Sequence, residues 1–136
     1  MNEQPAEWEF YIQNGEMSLN GAKTLSNDPS EGNLLLAAGL CSRAAENALK
    51  AYYLYLGGAE FQLKTTHNLG YLVGAIRQLK GSGKILSDSR LSKLTPYGVN
   101  ASYAYSSNLA IPDIGEIASF ISFVDSLLAE VKNKLQ

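Results

Sequence analysis

The sequence predicts an all-α fold, an antiparallel up-and-down bundle of four to five helices. Three observations carry this. Apolar residues recur at three-, four- and seven-residue steps through most of the chain. No segment alternates as a half-buried strand does. The connections between periodic segments are short, which favours antiparallel neighbours. The length of 136 residues suits one domain, residues 1–136, and an apolar content of 46% can fill its core.

The first helix is expected from about Glu7 to Ser26, with Trp8, Ile12, Leu19, Ala22 and Leu25 on one face. Asn27-Asp28-Pro29-Ser30 then interrupts. Asp28 is read as an N-cap, Pro29 as the first helical position and Glu31 as the partner of a capping box, so the second helix should run from Pro29 to Leu56. Gly57-Gly58 stops it. Ala37, Ala38, Cys41, Ala44, Ala45 and Ala48 form a small-residue stripe that lets other helices approach closely, so this helix should be central. Its last turns bring Lys50, Tyr52, Tyr53 and Tyr55.

A third helix is predicted from His67 to about Lys80, with Leu69, Leu72, Val73, Ile76 and Leu79 as its face and a loop over 80–84 after it. The fourth region, Leu86 to Tyr105, reads as helical but broken. Thr95 is taken as a second N-cap and Pro96 as the start of a new helix to about Ser106. Asn108 to Pro112 is a loop. Asp113 and Glu116 have capping-box spacing, and a last helix should reach about Lys134 with Ile114, Ile117, Ile121, Val124, Leu127 or Leu128, and Val131 facing inward. Eight glycines fall inside predicted helices, at about 1 kcal/mol each against alanine, so they serve close packing or mark displaced boundaries.

Composition excludes several function classes. A net charge of -2 does not fit a uniformly basic nucleic-acid binder. One cysteine permits no intrachain disulfide. No run of 18 apolar residues exists to span a membrane, and residues 1–9 hold acids but no Lys or Arg, unlike a signal peptide, so a cytoplasmic location is expected. One His and one Cys cannot make a zinc tetrad, and no metal or other cofactor is expected. Gly81-Ser82-Gly83-Lys84 lacks the first glycine of a P-loop and a Ser or Thr after the lysine, and it follows a helix. Cys41, in the small-residue stripe, reads as buried and inert.

Charge is uneven. Lys64, Arg77, Lys80, Lys84, Arg90 and Lys93 face one acid, Asp88, over residues 64–93. This is a solvated face or a basic patch for a phosphate-bearing partner. His67 either ties a helix start to its neighbour or contacts a ligand as a base.

The run Ala44 to Leu72, AAENALKAYYLYLGGAEFQLKTTHNLGYL, resembles the HEPN domain signature, with Glu46, Lys50-Ala51, Tyr52-Tyr53, Gly57 and His67-Asn68-Leu69 in its places. Asn68 stands where Asp is commoner in the family. Residues 91–108, LSKLTPYGVNASYAYSSN, are similar to the family's fourth-helix segment through Leu94-Thr95-Pro96-Tyr97 and Tyr103. The resemblance covers about residues 7–133. It implies a helical bundle that commonly forms homodimers. Many members are ribonucleases of toxin–antitoxin or defence systems, others bind nucleotides or partner a small nucleotidyltransferase, and some are non-catalytic.

The nuclease members carry an Arg followed four to six residues later by a His. The Arg place is Ser102 here, Asn108 is no histidine, and His67 is the sole histidine. Ser102 supplies neither positive charge nor a proton shuttle. The expected function is therefore non-catalytic: binding of a nucleotide or phosphate ligand, protein interaction in a homodimer, or both. Lys50, Tyr53, His67, Tyr97, Tyr103 and Tyr105 are the ligand-binding candidates, the tyrosines as stacking surfaces that could equally form a core edge or a dimer interface. Lys64 and Arg77 are further candidate phosphate contacts. The expected partners are a second copy, a nucleotide, a nucleotidyltransferase-like protein or RNA, with no membrane. A toxin–antitoxin or defence component with degenerate ribonuclease activity is the alternative.

Overall fold

The computed structural model describes residues 6–59, 66–100 and 109–135, positions 99 and 100 by backbone alone. The described residues form five α-helices: α1 (Glu7–Ser26), α2 (Glu31–Tyr55), α3 (Leu69–Gln78), α4 (Arg90–Asn100) and α5 (Ile114–Lys134). A short 3-10 turn, Lys84–Ser87, precedes α4, and the described residues include no strand. No described helix is long and apolar enough to cross a membrane.

The first helix follows its periodicity. Ile12, Gly15, Leu19 and Ala22 are buried, while Glu7 and Glu9 in the first turn and Lys23 in the last complement the helix dipole. Gly15 and Gly21 bring α1 close to α2. A Cβ on Gly15 would stand 3.3 Å from the Ala44 carbonyl, and one on Gly21 would stand 3.0 Å from Leu40 Cδ1. These two pairs run in opposite senses, so α1 and α2 are antiparallel, and an edge-to-face Trp8–Tyr55 contact at 6.0 Å closes the far end.

The second helix is the centre of the bundle and packs on all four others. Ala37, Ala38, Cys41, Ala44, Ala45 and Ala48 are all fully buried, as the small-residue stripe requires. The N-cap lies two residues later than the sequence reading placed it. Ser30, not Asp28, accepts from the Asn33 N–H at 3.2 Å, while Asp28 takes the Asn33 side chain on its carbonyl at 2.7 Å. Both residues have cap chemistry, and extended backbone at Ser30 decides the position. At the other end Gly57 adopts φ 94, and Gly58 N–H reaches the Tyr53 carbonyl at 3.0 Å. This is a Schellman closure. Gly58 is needed for a second reason, because a Cβ there would fall 2.1 Å from the Tyr53 ring.

The third helix starts at Leu69 rather than His67. Asn68 is its N-cap and accepts from Tyr71 N–H at 3.0 Å, so asparagine does here what aspartate does. The break read at Thr95-Pro96 does not occur, and α4 runs through Pro96. Thr95 caps a helix other than its own. Its hydroxyl donates to the Leu91 carbonyl at 3.1 Å and accepts the Leu69 N–H of α3 at 3.4 Å. This bond ties α4 to the start of α3. The helix predicted as far as Ser106 lies, beyond Asn100, outside the described residues. Near its end α4 crosses α2 so closely that a Cβ on Gly98 would meet Ser42 Oγ at 2.4 Å.

The last helix begins with the predicted capping box. Asp113 Oδ1 accepts the Glu116 N–H at 2.8 Å, and Asp113 N–H donates to Glu116 Oε1 at 3.3 Å. Ile117, Phe120, Phe123, Val124, Leu127, Leu128 and Val131 are buried, whereas Ile114, expected inside, is exposed at the first turn. Lys23–Asp125 at 3.9 Å and Lys132–Glu16 at 3.5 Å lie between α1 and α5 in antiparallel order. Both pairs are exposed and add little stability.

The 79–90 connection is pinned at both ends. Tyr52 Oη accepts Ser82 N–H at 3.0 Å and donates to the Ser82 carbonyl at 3.4 Å. Arg90 donates through Nε and Nη2 to the two Asp88 oxygens at 3.0 and 2.9 Å, reaches Ser119 through Nη1, and stacks 4.8 Å above the Phe123 ring. The hydrogen-bonded Arg90 guanidinium holds the Asp88 carboxyl below its ordinary range. A depressed carboxylate stabilises the fold above its unfolded value, about pH 4, and that contribution is lost as pH falls through the lower folded value. Asp88→Asn is therefore expected to be less stable than wild type at pH 7, and the difference should begin to shrink as pH falls through about 4 and vanish only below the lower folded value, in urea titrations run across pH.

Candidate functional site

Glu46 and Lys50 are one helical turn apart on α2, where an acid followed by a base at i, i+4 pairs naturally. The Lys50 ammonium donates to Glu46 Oε2 at 2.8 Å, and the other carboxylate oxygen, Oε1, lies 2.9 Å from His67 Nδ1. The Lys50 side chain is 7% exposed and that of Glu46 13%, whereas the His67 side chain is 54% exposed. A carboxylate only accepts, so the proton on this edge of the imidazole sits on Nδ1 and Nε2 is left as the other ring nitrogen. Glu46 thus ties the segment before α3 to the middle of α2 and offsets the buried ammonium.

Of the six candidate residues, Lys50 and His67 are joined through Glu46. Tyr53 lies one turn further along α2, its ring buried against Gly58. Tyr97 belongs to a different contact: its hydroxyl donates to the Ala110 carbonyl at 2.6 Å and its ring tilts on Phe120 at 6.3 Å. Burial, and secondarily the Glu116 charge, raise its pKa. It therefore fastens α4 to the entry of α5. Tyr103 and Tyr105 lie outside the described residues, as do Ser102, Asn108 and Lys64.

The basic run over residues 64–93 is committed to an acid only at Arg90 where it is described, and Lys93 is exposed. Arg90 is committed to Asp88 and Ser119, and Arg77 donates to Ser87 Oγ at 2.7 Å. Lys80 and Lys84 are exposed. Lys80 stands at φ 66, the left-handed residue that ends α3. Cys41 is fully buried and its pKa is pushed up to about 12, which leaves an inert thiol. Among the described residues no three His, Cys, Asp or Glu side chains converge as a metal site would need.

Two features were missed by the sequence reading. One is the bridging role of Glu46, which the i, i+4 spacing to Lys50 announces. The other is a groove of about 360 Å³ between α2 and α3, lined by Tyr53, Tyr71, Gly74, Ala75, Gln78 and Leu79. Tyr71, Gly74, Ala75 and Gln78 share a helical face, but that face opposes the apolar one and reads as plain solvent surface.

No curated protein and no solved structure shows a significant match to the chain. A family model described as HEPN domain matches residues 8–134.

Proposed function

Because the chain belongs to the HEPN domain family, matched over nearly its whole length, we propose that it works as a single non-catalytic domain that binds a nucleotide or another phosphate ligand as a homodimer. The observation that carries the non-catalytic reading is the position of the one histidine. His67 Nδ1 sits on Glu46, whose other oxygen holds Lys50, so the carboxylate separates the imidazole from the nearest buried cation. Residues 60–63, Glu60, Phe61, Gln62 and Leu63, offer no arginine before it. Among the described residues the cation of this cluster, Lys50, is paired to Glu46, and an imidazole with no free cation to fix phosphate lacks half of a phosphoryl-transfer site.

The ligand reading draws on His67, half-exposed at the edge of this cluster, and on the tyrosines of α2 and α3 nearby. A protein-partner reading has its own support. Phe10 and Met17, seven residues apart on α1, are 51% and 70% exposed, a short apolar stripe for a helix-bearing partner.

Purified protein incubated with RNA, with and without a chelator, is expected to cut nothing, and His67→Ala is expected to behave as wild type. Metal-independent cleavage that His67→Ala abolishes would overturn the non-catalytic reading. Light scattering should give the mass of two chains, and a monomer at micromolar concentration contradicts the homodimer.

A further inference from the structure

We infer that Ser87 is a phosphorylation site, with Arg77 and Lys84 placed to receive the phosphate. The connection from α3 to α4 exposes three serines, Ser82, Ser87 and Ser89. Of these, only Ser87 has a cation on its hydroxyl: Arg77 Nη2, from α3, donates to Ser87 Oγ at 2.7 Å. Ser82 is held through its backbone by Tyr52, and Ser89 accepts the Ser92 hydroxyl on its carbonyl. Apart from one 3-10 turn the connection is irregular, which gives a modifying enzyme access to the side chain.

That turn, Lys84–Ser87, brings the second cation. Residues three apart eclipse in a 3-10 helix, so Lys84 shares the face of Ser87. Arg77 and Lys84 are both exposed, and among the described residues neither has an acid within ion-pair distance. Asp88, the next residue, would oppose a second negative charge, but both its oxygens are engaged by Arg90. The transfer takes the terminal phosphoryl group of a nucleoside triphosphate. The bond from Ser87 Oγ to phosphorus forms, the bond to the nucleoside diphosphate breaks, and the hydroxyl proton leaves to the base of the transferring kinase. The product carries a charge of about −1.5 to −2 at pH 7 and three strong acceptor oxygens. Arg77 then meets an anion in place of a neutral hydroxyl, which strengthens the bond that fastens the connection to α3.

The test uses the 136-residue chain with phosphoserine incorporated at position 87, the same chain with Arg77→Gln, and a chain with phosphoserine at position 89. Free phosphoserine gives up its second proton at about pH 6. Phosphorus NMR titration should find this step about one unit lower at position 87, and unshifted at position 89 or beside Arg77→Gln. Thermal unfolding at pH 7 should place the chain modified at 87 a few degrees above the unmodified one, a rise that Arg77→Gln cancels. A phosphate at 87 that titrates like the one at 89, or a rise that survives Arg77→Gln, overturns the receiving site. Mapping of phosphate on the chain recovered from its own cells should find it on Ser87. A chain phosphorylated only elsewhere, or nowhere, overturns the modification.

Discussion

Glu46→Ala is expected to cost about 3–5 kcal/mol of folding stability, the loss typical of breaking a buried ion pair from one side. Lys50 is only 5% exposed overall, and its ammonium makes its short contact, 2.8 Å, to the carboxylate that the substitution deletes. The charge would be left in a site too dry to solvate it. His67 loses its partner in the same step, so the segment before α3 is released from α2. Lys50→Met should be milder. It removes the charge that needs solvating and keeps most of the volume, and Glu46 retains His67 at a more exposed edge. The double variant Glu46→Ala with Lys50→Met should be closer to Lys50→Met than the sum of the single losses, because the stranded ammonium is gone. Urea denaturation of the four proteins at pH 7 gives the cycle. A Glu46→Ala loss below about 1 kcal/mol would show that the ammonium finds water or another anion.

Phe123→Ala should cost a similar amount, about 3–5 kcal/mol, for a different reason. Phe123 is 1% exposed and is among the largest fully buried side chains. Its removal leaves a cavity that the fully buried neighbours Ile117, Val124 and Leu127 are too constrained to fill. It also removes the ring under the Arg90 guanidinium, the platform that joins the start of α4 to α5. Ile121→Ala, on a partly buried position of the same helix, should cost clearly less. Equal losses at the two positions would mean that α5 is held by its ends and not by this face.

The fold was legible where its signals are local. The α1 boundaries and the Asp113–Glu116 box come from charges, caps and periodicity within one segment, and the structure repeats them. The glycines inside helices were read as close-packing sites or errors, and Gly15 and Gly98 are the former. The start of α2 was ambiguous because Asp28 and Ser30 flank Pro29 and either can cap. The break at Pro96 was misread because packing can carry a helix through a proline: Leu91, Leu94 and Tyr97 are all buried on α4.

The candidate site divides in the same way. The Glu46–Lys50 pair follows from spacing, but the arrival of His67 at the same carboxylate is a tertiary event. The basic run looked like a patch because sequence lists charges without their partners. In space Arg90 turns to Asp88, while Lys80, Lys84 and Lys93 stay exposed. Tyr97, grouped with the stacking tyrosines by residue type, is a core side chain whose hydroxyl reaches Ala110.

The central claim is that this HEPN domain binds a nucleotide and does no chemistry on it. A thermal-shift titration of the purified 136-residue chain against a nucleotide panel, with and without Mg²⁺, tests it most directly. A ligand at 100 times its dissociation constant adds about 2.7 kcal/mol, a rise of several degrees for a chain of this size. The account predicts a selective, saturable rise with at least one nucleotide, which is recovered unchanged afterwards. No shift with any member of the panel, or conversion of the nucleotide to product, would contradict it.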